Sequence, residues 1–70
     1  MRAKFVCHAE ERSNYGTVTY KLMPVTGETD ENKAFFRTTP SGQIVVSVKR
    51  DETAAHLDLG AEYYVDFTLA

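Results

Sequence analysis

The sequence contains little cysteine, little glycine and no long apolar run, and each shortage excludes a class of protein. Its one cysteine, Cys7, cannot form an internal disulfide, which excludes the disulfide-rich secreted domains and indicates a reducing compartment. No run approaches the roughly 18 to 20 apolar residues that span a membrane, and the N-terminus lacks the apolar stretch of a signal peptide. We therefore expect a soluble protein of the cytoplasm.

Residues with catalytic or metal-binding chemistry are also few. The four glycines are isolated, so no glycine-rich loop is available to bind a phosphate. Cys7 and His8 are neighbours on a predicted strand and point to opposite faces, so they cannot both bind one zinc ion. An acidic pair such as Asp51 and Glu52 lies in a turn, where solvated charge is its expected role. The sequence predicts a protein that is not an enzyme and holds no metal or cofactor.

The length and the charge limit the function further. Seventy residues are enough for one domain, and a chain this short buries only about 60% of the surface that its unfolded form exposes. Eight Lys and Arg against ten Asp and Glu give a formal net charge of -2. That sign is unfavourable for a protein that binds nucleic acid mainly by charge. We expect residues 1–70 to form a single small domain in which most side chains serve the fold.

Alternation of apolar and polar residues, the pattern of a strand with one buried face, recurs along the chain. It predicts strands at 2–11, 17–23, 43–49 and 62–69, with a short aromatic strand at 33–38. Turn residues at 13–16 and 40–42 predict two hairpins. The β-branched strand at 43–49 is expected to be central. Asp51 is expected to begin a single helical turn before the last strand.

Five antiparallel strands of this length cannot cover both faces of a flat sheet, whereas a curled sheet encloses one core and removes its exposed edges. The predicted fold is therefore all-β: a small five-stranded antiparallel barrel with one short helical turn before the last strand. The position of that turn favours an OB-like barrel. An SH3-like barrel is the alternative, since it also has a short helical turn before its final strand.

Two segments of the sequence carry a resemblance. They are Glu31–Ile44, which reads ENKAFFRTTPSGQI, and Gly60–Thr68, which reads GAEYYVDFT. Together with the opening MRAKF, they resemble a group of short uncharacterised proteins encoded by tailed bacteriophages and prophages. The resemblance extends over nearly the whole chain. It implies a viral or prophage origin and a place in the host bacterial cytoplasm or in the virion, and it supplies no catalytic residue.

A second face of the predicted sheet carries the candidate binding residues. Aromatic side chains next to Arg and Lys on an open sheet face are typical of small barrels that stack bases and follow a phosphate backbone. The predicted contact residues are Phe36, Arg37, Val45, Lys49 and Tyr64.

Three functions fit such a surface. An apolar patch on a thin domain is most often an assembly surface, and the acidic net charge favours this reading, with a homodimer as one form of it. Single-stranded nucleic acid is the second candidate partner. Docking on a host protein is the third, with the acidic loop at 28–31 as a feature that could imitate nucleic acid.

Overall fold

The structure is a computed structural model that describes residues 1–49 and 56–70. In this part of the chain, four antiparallel strands form one curled sheet, a half-barrel, accompanied by one helix. The elements are β1 (Arg2–Arg12), β2 (Thr17–Pro24), α1 (Asp30–Thr38), β3 (Ile44–Lys49) and β4 (Glu62–Asp66). The strand order is β3-β2-β1-β4. The predicted all-β character is thus confirmed in its main part.

The first hairpin joins β1 to β2 through the predicted turn. The backbone N–H of Ser13 donates to the carbonyl of Thr17 at 2.9 Å and closes the loop. Gly16 has a φ of 81°, a conformation that residues with a Cβ rarely adopt. The Ser13 hydroxyl also accepts hydrogen bonds from the backbone N–H groups of Tyr15 and Thr17. The turn residues therefore fix the pairing of the two longest strands.

One face of the sheet forms the core, and the period-two pattern identifies most of it. Its buried members come from the two central strands, and they are Ala3, Phe5, Cys7, Val18, Tyr20 and Leu22. The edge strands add half-buried side chains that pack against them, including Ile44, Val48, Tyr63 and Val65. We call this side the core face and the opposite side the second face.

A bulge in β1 at His8 exchanges the faces of the residues that follow it. Cys7 lies opposite Leu22, whereas Ala9 lies opposite Lys21, so one residue of β1 has no partner. Strict alternation along the strand predicts Ala9 beside Cys7 in the core, and this is wrong, since Ala9 faces the same side as Lys21. A bulge inverts every later side chain because the side-chain period of a strand is two.

The predicted aromatic strand at 33–38 is wrong, since these residues belong to α1. The helix begins after Thr29, whose hydroxyl accepts from the backbone N–H of Asn32 at 3.1 Å. Asp30 and Glu31 lie in the first turn and Arg37 in the last, which complements the helix dipole at both ends. These capping signals outweigh the strand propensity of the two phenylalanines.

Two further expectations about the sheet are corrected. The described residues contain four strands, so the five-stranded barrel is not found there, and the turn at 40–42 joins α1 to β3 instead of closing a hairpin. The strand expected to be central, β3, lies at one edge, while β1 and β2 occupy the centre. The helical turn predicted from Asp51 lies outside the described residues.

Candidate binding surface

Three of the predicted contact residues lie on the second face of the sheet. Val45 is opposite Lys21, Lys49 is opposite Thr17, and Tyr64 is opposite Lys4. They do not form one patch, because β3 and β4 are the two outermost strands. Three strand spacings of about 4.8 Å separate them by about 14 Å.

The other two predicted residues, Phe36 and Arg37, lie on α1 and not on a strand. Both are exposed, with 40% of Phe36 accessible to solvent. They are therefore not part of the second face of the sheet. The predicted surface divides into a half around β4 and a half around β3.

Helix α1 packs over the β4 half through one of its sides. Glu31, Asn32 and Phe35 lie within one turn of each other and point to the same side. The Asn32 amide nitrogen donates to the Glu62 carboxylate at 3.0 Å, and Asn32 is 3% exposed. The Phe35 ring lies 6.0 Å from the ring of Tyr64. These contacts attach the helix to the end of the sheet that contains β4.

A group of charged and polar side chains lies beside the helix. We name it the β4 cluster, and its members are Arg2, Lys4, Glu31, Glu62, Tyr64 and Asp66. Arg2 donates two hydrogen bonds to Asp66, at 2.8 and 3.1 Å. The Lys4 ammonium lies 3.4 Å from Glu31 and 3.3 Å from Glu62. The Tyr64 hydroxyl donates to Glu31.

The contacts of the β4 cluster shift the titration of its members. The hydrogen bond from Tyr64, together with Lys4, lowers the pKa of Glu31. The same hydrogen bond and the negative charge of Glu31 raise the pKa of Tyr64. Withdrawal from water would lower the pKa of Lys4, but its bonds to Glu62 and Glu31 together outweigh this and raise it. Each shift favours the charge state that keeps the cluster together.

The β4 cluster leaves little free chemistry for a ligand. The guanidinium of Arg2 lies 4.9 Å from the centre of the Tyr64 ring, and the Lys4 nitrogen lies 5.5 Å from it. Both cations also contact carboxylates, so their charge is largely balanced. A base stacking on Tyr64 would have to compete with these contacts, which sequence reasoning did not anticipate because Glu31 was assigned to a loop.

The β3 half has a different character. Val45 is 52% exposed on the second face and Val46 is 39% exposed on the core face. Polar contacts here are few: Thr19 and Ser47 share a hydrogen bond of 2.8 Å across β2 and β3. Within residues 1–49 and 56–70, no strand pairs with the outer side of β3. We call this outer side, from Ile44 to Lys49, the β3 edge.

Sequence reasoning missed Val46 as a candidate contact residue. The alternation along the strand predicts Val46 on the core face, beside Ile44 and Val48, and the structure places it there. Its exposure arises because β3 is the last strand of the sheet. The sequence contains no signal of this, because the absence of charge from Ile44 to Val48 is typical of a central strand, whereas edge strands usually carry protective charges.

Neither a metal site nor a membrane span is found in the described residues. No three or more His, Cys, Asp or Glu side chains come together there in a way that could hold a metal ion. The one helix in this part of the chain is too short and too polar to cross a bilayer.

No protein-family model, curated protein or solved structure matches this chain. The resemblance of its two segments to phage and prophage proteins therefore stays a prediction from the sequence. The function has to be argued from the geometry of the surface.

Proposed function

We propose that this domain is a non-enzymatic assembly module that binds a protein chain along the β3 edge. The observation that carries the proposal is an edge strand with an exposed valine on each face, Val45 and Val46. From Ile44 to Val48 the strand contains no charged residue.

The β3 edge is suited to accept another strand. An edge strand presents a row of backbone N–H and C=O groups, and proteins usually block it with charges, proline or a bulge. None of these devices occurs from Ile44 to Val48, a segment with regular pairing to β2 on its inner side. Adding a strand would satisfy the backbone groups and remove both valines from water.

The shape of the sheet supports the same function. An OB-like barrel is completed by five strands, and the described half-barrel has four, with β3 and β4 as its two edges. We propose the OB-like topology for this domain, and a strand from a partner would extend it at β3. The resemblance to phage and prophage proteins supports a role in viral assembly or in the host cell.

The nucleic-acid alternative has weaker support. Its key residue, Tyr64, is contacted by Arg2, Lys4 and Phe35 and donates its hydroxyl proton to Glu31. The two cations beside this ring, Arg2 and Lys4, also contact carboxylates. The acidic net charge of -2 adds to this argument.

Photo-crosslinking in bacterial cells tests the assembly function. A benzophenone amino acid would replace Val46 in one variant and Leu59 in a matched control. Leu59 is 59% exposed and lies in the turn before β4, away from the β3 edge. On irradiation we expect covalent adducts with protein from position 46 and far fewer from position 59.

The outcomes are read by the mass of the adducts. Any discrete protein adduct that is specific to position 46 supports binding along the β3 edge, whether its mass equals twice that of the chain or not. Equal adducts from both positions, or none from position 46, would contradict the proposed function.

A further inference from the structure

We propose that the partner at the β3 edge is β3 of a second copy of this chain, paired antiparallel with Val46 opposite Val46. This inference rests on the proposed function and specifies its partner. It yields one continuous eight-stranded sheet across the two copies.

Symmetry limits how two such strands can pair. Two identical antiparallel strands in one sheet are related by a two-fold axis perpendicular to the sheet, so each face continues into the same face of the other copy. Residues that pair must then belong to the same face, and the axis must pass through a residue position. Val46, Ser47 and Val45 are the central positions from which most of β3 can pair.

The pattern of side chains selects Val46. With the axis at Val46, Ile44 lies opposite Val48, and Val46 lies opposite its own copy, so three apolar pairs continue the core face. On the second face Val45 lies opposite Ser47, and Lys49 lies opposite Gln43. Five of the six residues of the strand pair with the partner's β3. Lys49 lies opposite the residue just before that strand, and no like charges meet.

The neighbouring registers are poorer. With the axis at Ser47, Val45 lies opposite Lys49, and Ile44 moves beyond the end of the partner's β3. With the axis at Val45, Ser47, Val48 and Lys49 move beyond the start of the partner's β3. Each keeps two apolar pairs on the core face, whereas the Val46 register has three, and such pairs are the main source of side-chain stabilisation between strands.

The two exposed valines supply the reason for a second copy to bind. Val46 is 39% exposed although it faces the core side, and its pairing with Val46 of the partner would extend the core across the two-fold axis. Val45 is 52% exposed and would be shielded by the partner's Ser47 side. The same strand thus serves as both halves of one self-complementary interface.

Sedimentation equilibrium of the purified chain tests the dimer. Over about a hundredfold range of concentration we expect a monomer–dimer equilibrium for the wild type. Val46→Lys places a charge at the two-fold axis and should weaken dimerisation at least tenfold, whereas Leu59→Lys should leave it unchanged. Circular dichroism of both variants checks that they are folded.

Cysteine crosslinking tests the register and does not depend on the lysine variant. Opposed residues of an antiparallel pair have Cα atoms about 4.5 or 5.5 Å apart, within reach of a disulfide. Val46→Cys should therefore form a disulfide dimer under mild oxidation. Val48→Cys should not, because in this register the two copies of residue 48 are separated by about four residues, or roughly 13 Å.

The native Cys7 is fully buried and is present in both cysteine variants, so it serves as an internal control. Crosslinking of Val48→Cys as fast as of Val46→Cys would overturn the register. A wild type that stays monomeric over the whole range would overturn the dimer. In that case, adducts of a different mass from position 46 in cells would leave the assembly function standing with another partner.

Discussion

The two edge strands of this sheet have very different surroundings. β4 carries Glu62 and Asp66 on its second face, where Lys4 and Arg2 of β1 contact them. Helix α1 lies over this end of the sheet. β3 has one charged residue in six, Lys49, at its end. One edge is thus surrounded by paired charges and a helix, and the other is a plain apolar strand.

Under the proposed function, this difference separates the contacts that stabilise the domain from the strand that binds a partner. On the β4 side, the charged and polar side chains contact one another and hold α1 on the sheet. The β3 side keeps backbone hydrogen-bonding groups and two valines accessible. A strand whose edge lacks the usual protection is expected to be covered in the working state of the protein.

The largest expected effect tests whether the two sides share one core. Phe5 lies opposite Tyr63 on the β4 side, and Leu22 lies opposite Ile44 on the β3 side; both are 4% exposed. Phe5→Ala should lower the free energy of unfolding by about 3 to 5 kcal/mol, and Leu22→Ala by about 2 to 5 kcal/mol. Either loss approaches the whole stability of a domain of this size.

Urea denaturation of both variants measures this. If both variants lose a comparable free energy of unfolding, the β3 and β4 sides share one core and differ only at their edges. A much smaller loss for Leu22→Ala would mean that the β3 side is loosely packed, and the contrast would then extend into the core.

The next effect is a pH dependence that belongs to the β4 side. The pKa values of Glu31 and Asp66 are lowered by hydrogen bonds from Tyr64 and from Arg2, respectively. Their contribution to stability is therefore present above the ordinary carboxyl pKa of about 4 and is lost as the pH falls through the lower folded-state values.

Urea midpoints at about pH 6 and pH 3 measure this loss on either side of the ordinary carboxyl pKa. Tyr64→Phe removes the hydroxyl that donates to Glu31, so the acid-induced loss should be smaller than in the wild type. Val45→Thr, on the β3 side, should retain the wild-type loss. An unchanged loss in Tyr64→Phe would contradict the role assigned to the Tyr64–Glu31 contact.

The smallest expected effect concerns nucleic acid. The anisotropy of a labelled single-stranded oligonucleotide should not change on titration with the protein, at low or at physiological salt, because Arg2 and Lys4 are already paired. Saturable binding that weakens with salt and is lost in Tyr64→Ala with Phe36→Ala would reverse this view. The β4 side would then be a binding surface as well.

The sequence predicted the parts of the fold that depend on neighbouring residues. Alternation located β1, β2, β3 and the start of β4, and the turn residues from Ser13 to Gly16 located the first hairpin. It also identified most of the core face. These features follow from the two-residue period of a strand and from the backbone freedom of glycine, which are local properties.

Two errors have different origins. The phenylalanines of α1 favoured a strand, whereas Thr29, Asp30 and Glu31 supply the cap and the charges that begin a helix. The bulge at His8 reversed the expected face of Ala9, and nothing in its immediate sequence announces the extra residue. The first error comes from two local patterns in one segment, and the second becomes visible only in the pairing of β1 with β2.

By itself, the sequence determined that this chain would form strands with one apolar face. Only the tertiary structure decided which strand lies at the edge and that Tyr64 would be engaged by α1. The order of strands in a sheet depends on pairing between residues far apart in the chain, such as Arg2 with Asp66. The residue pattern within β3 favours a central position, and only the pairing of the strands places β3 at an edge of the described sheet.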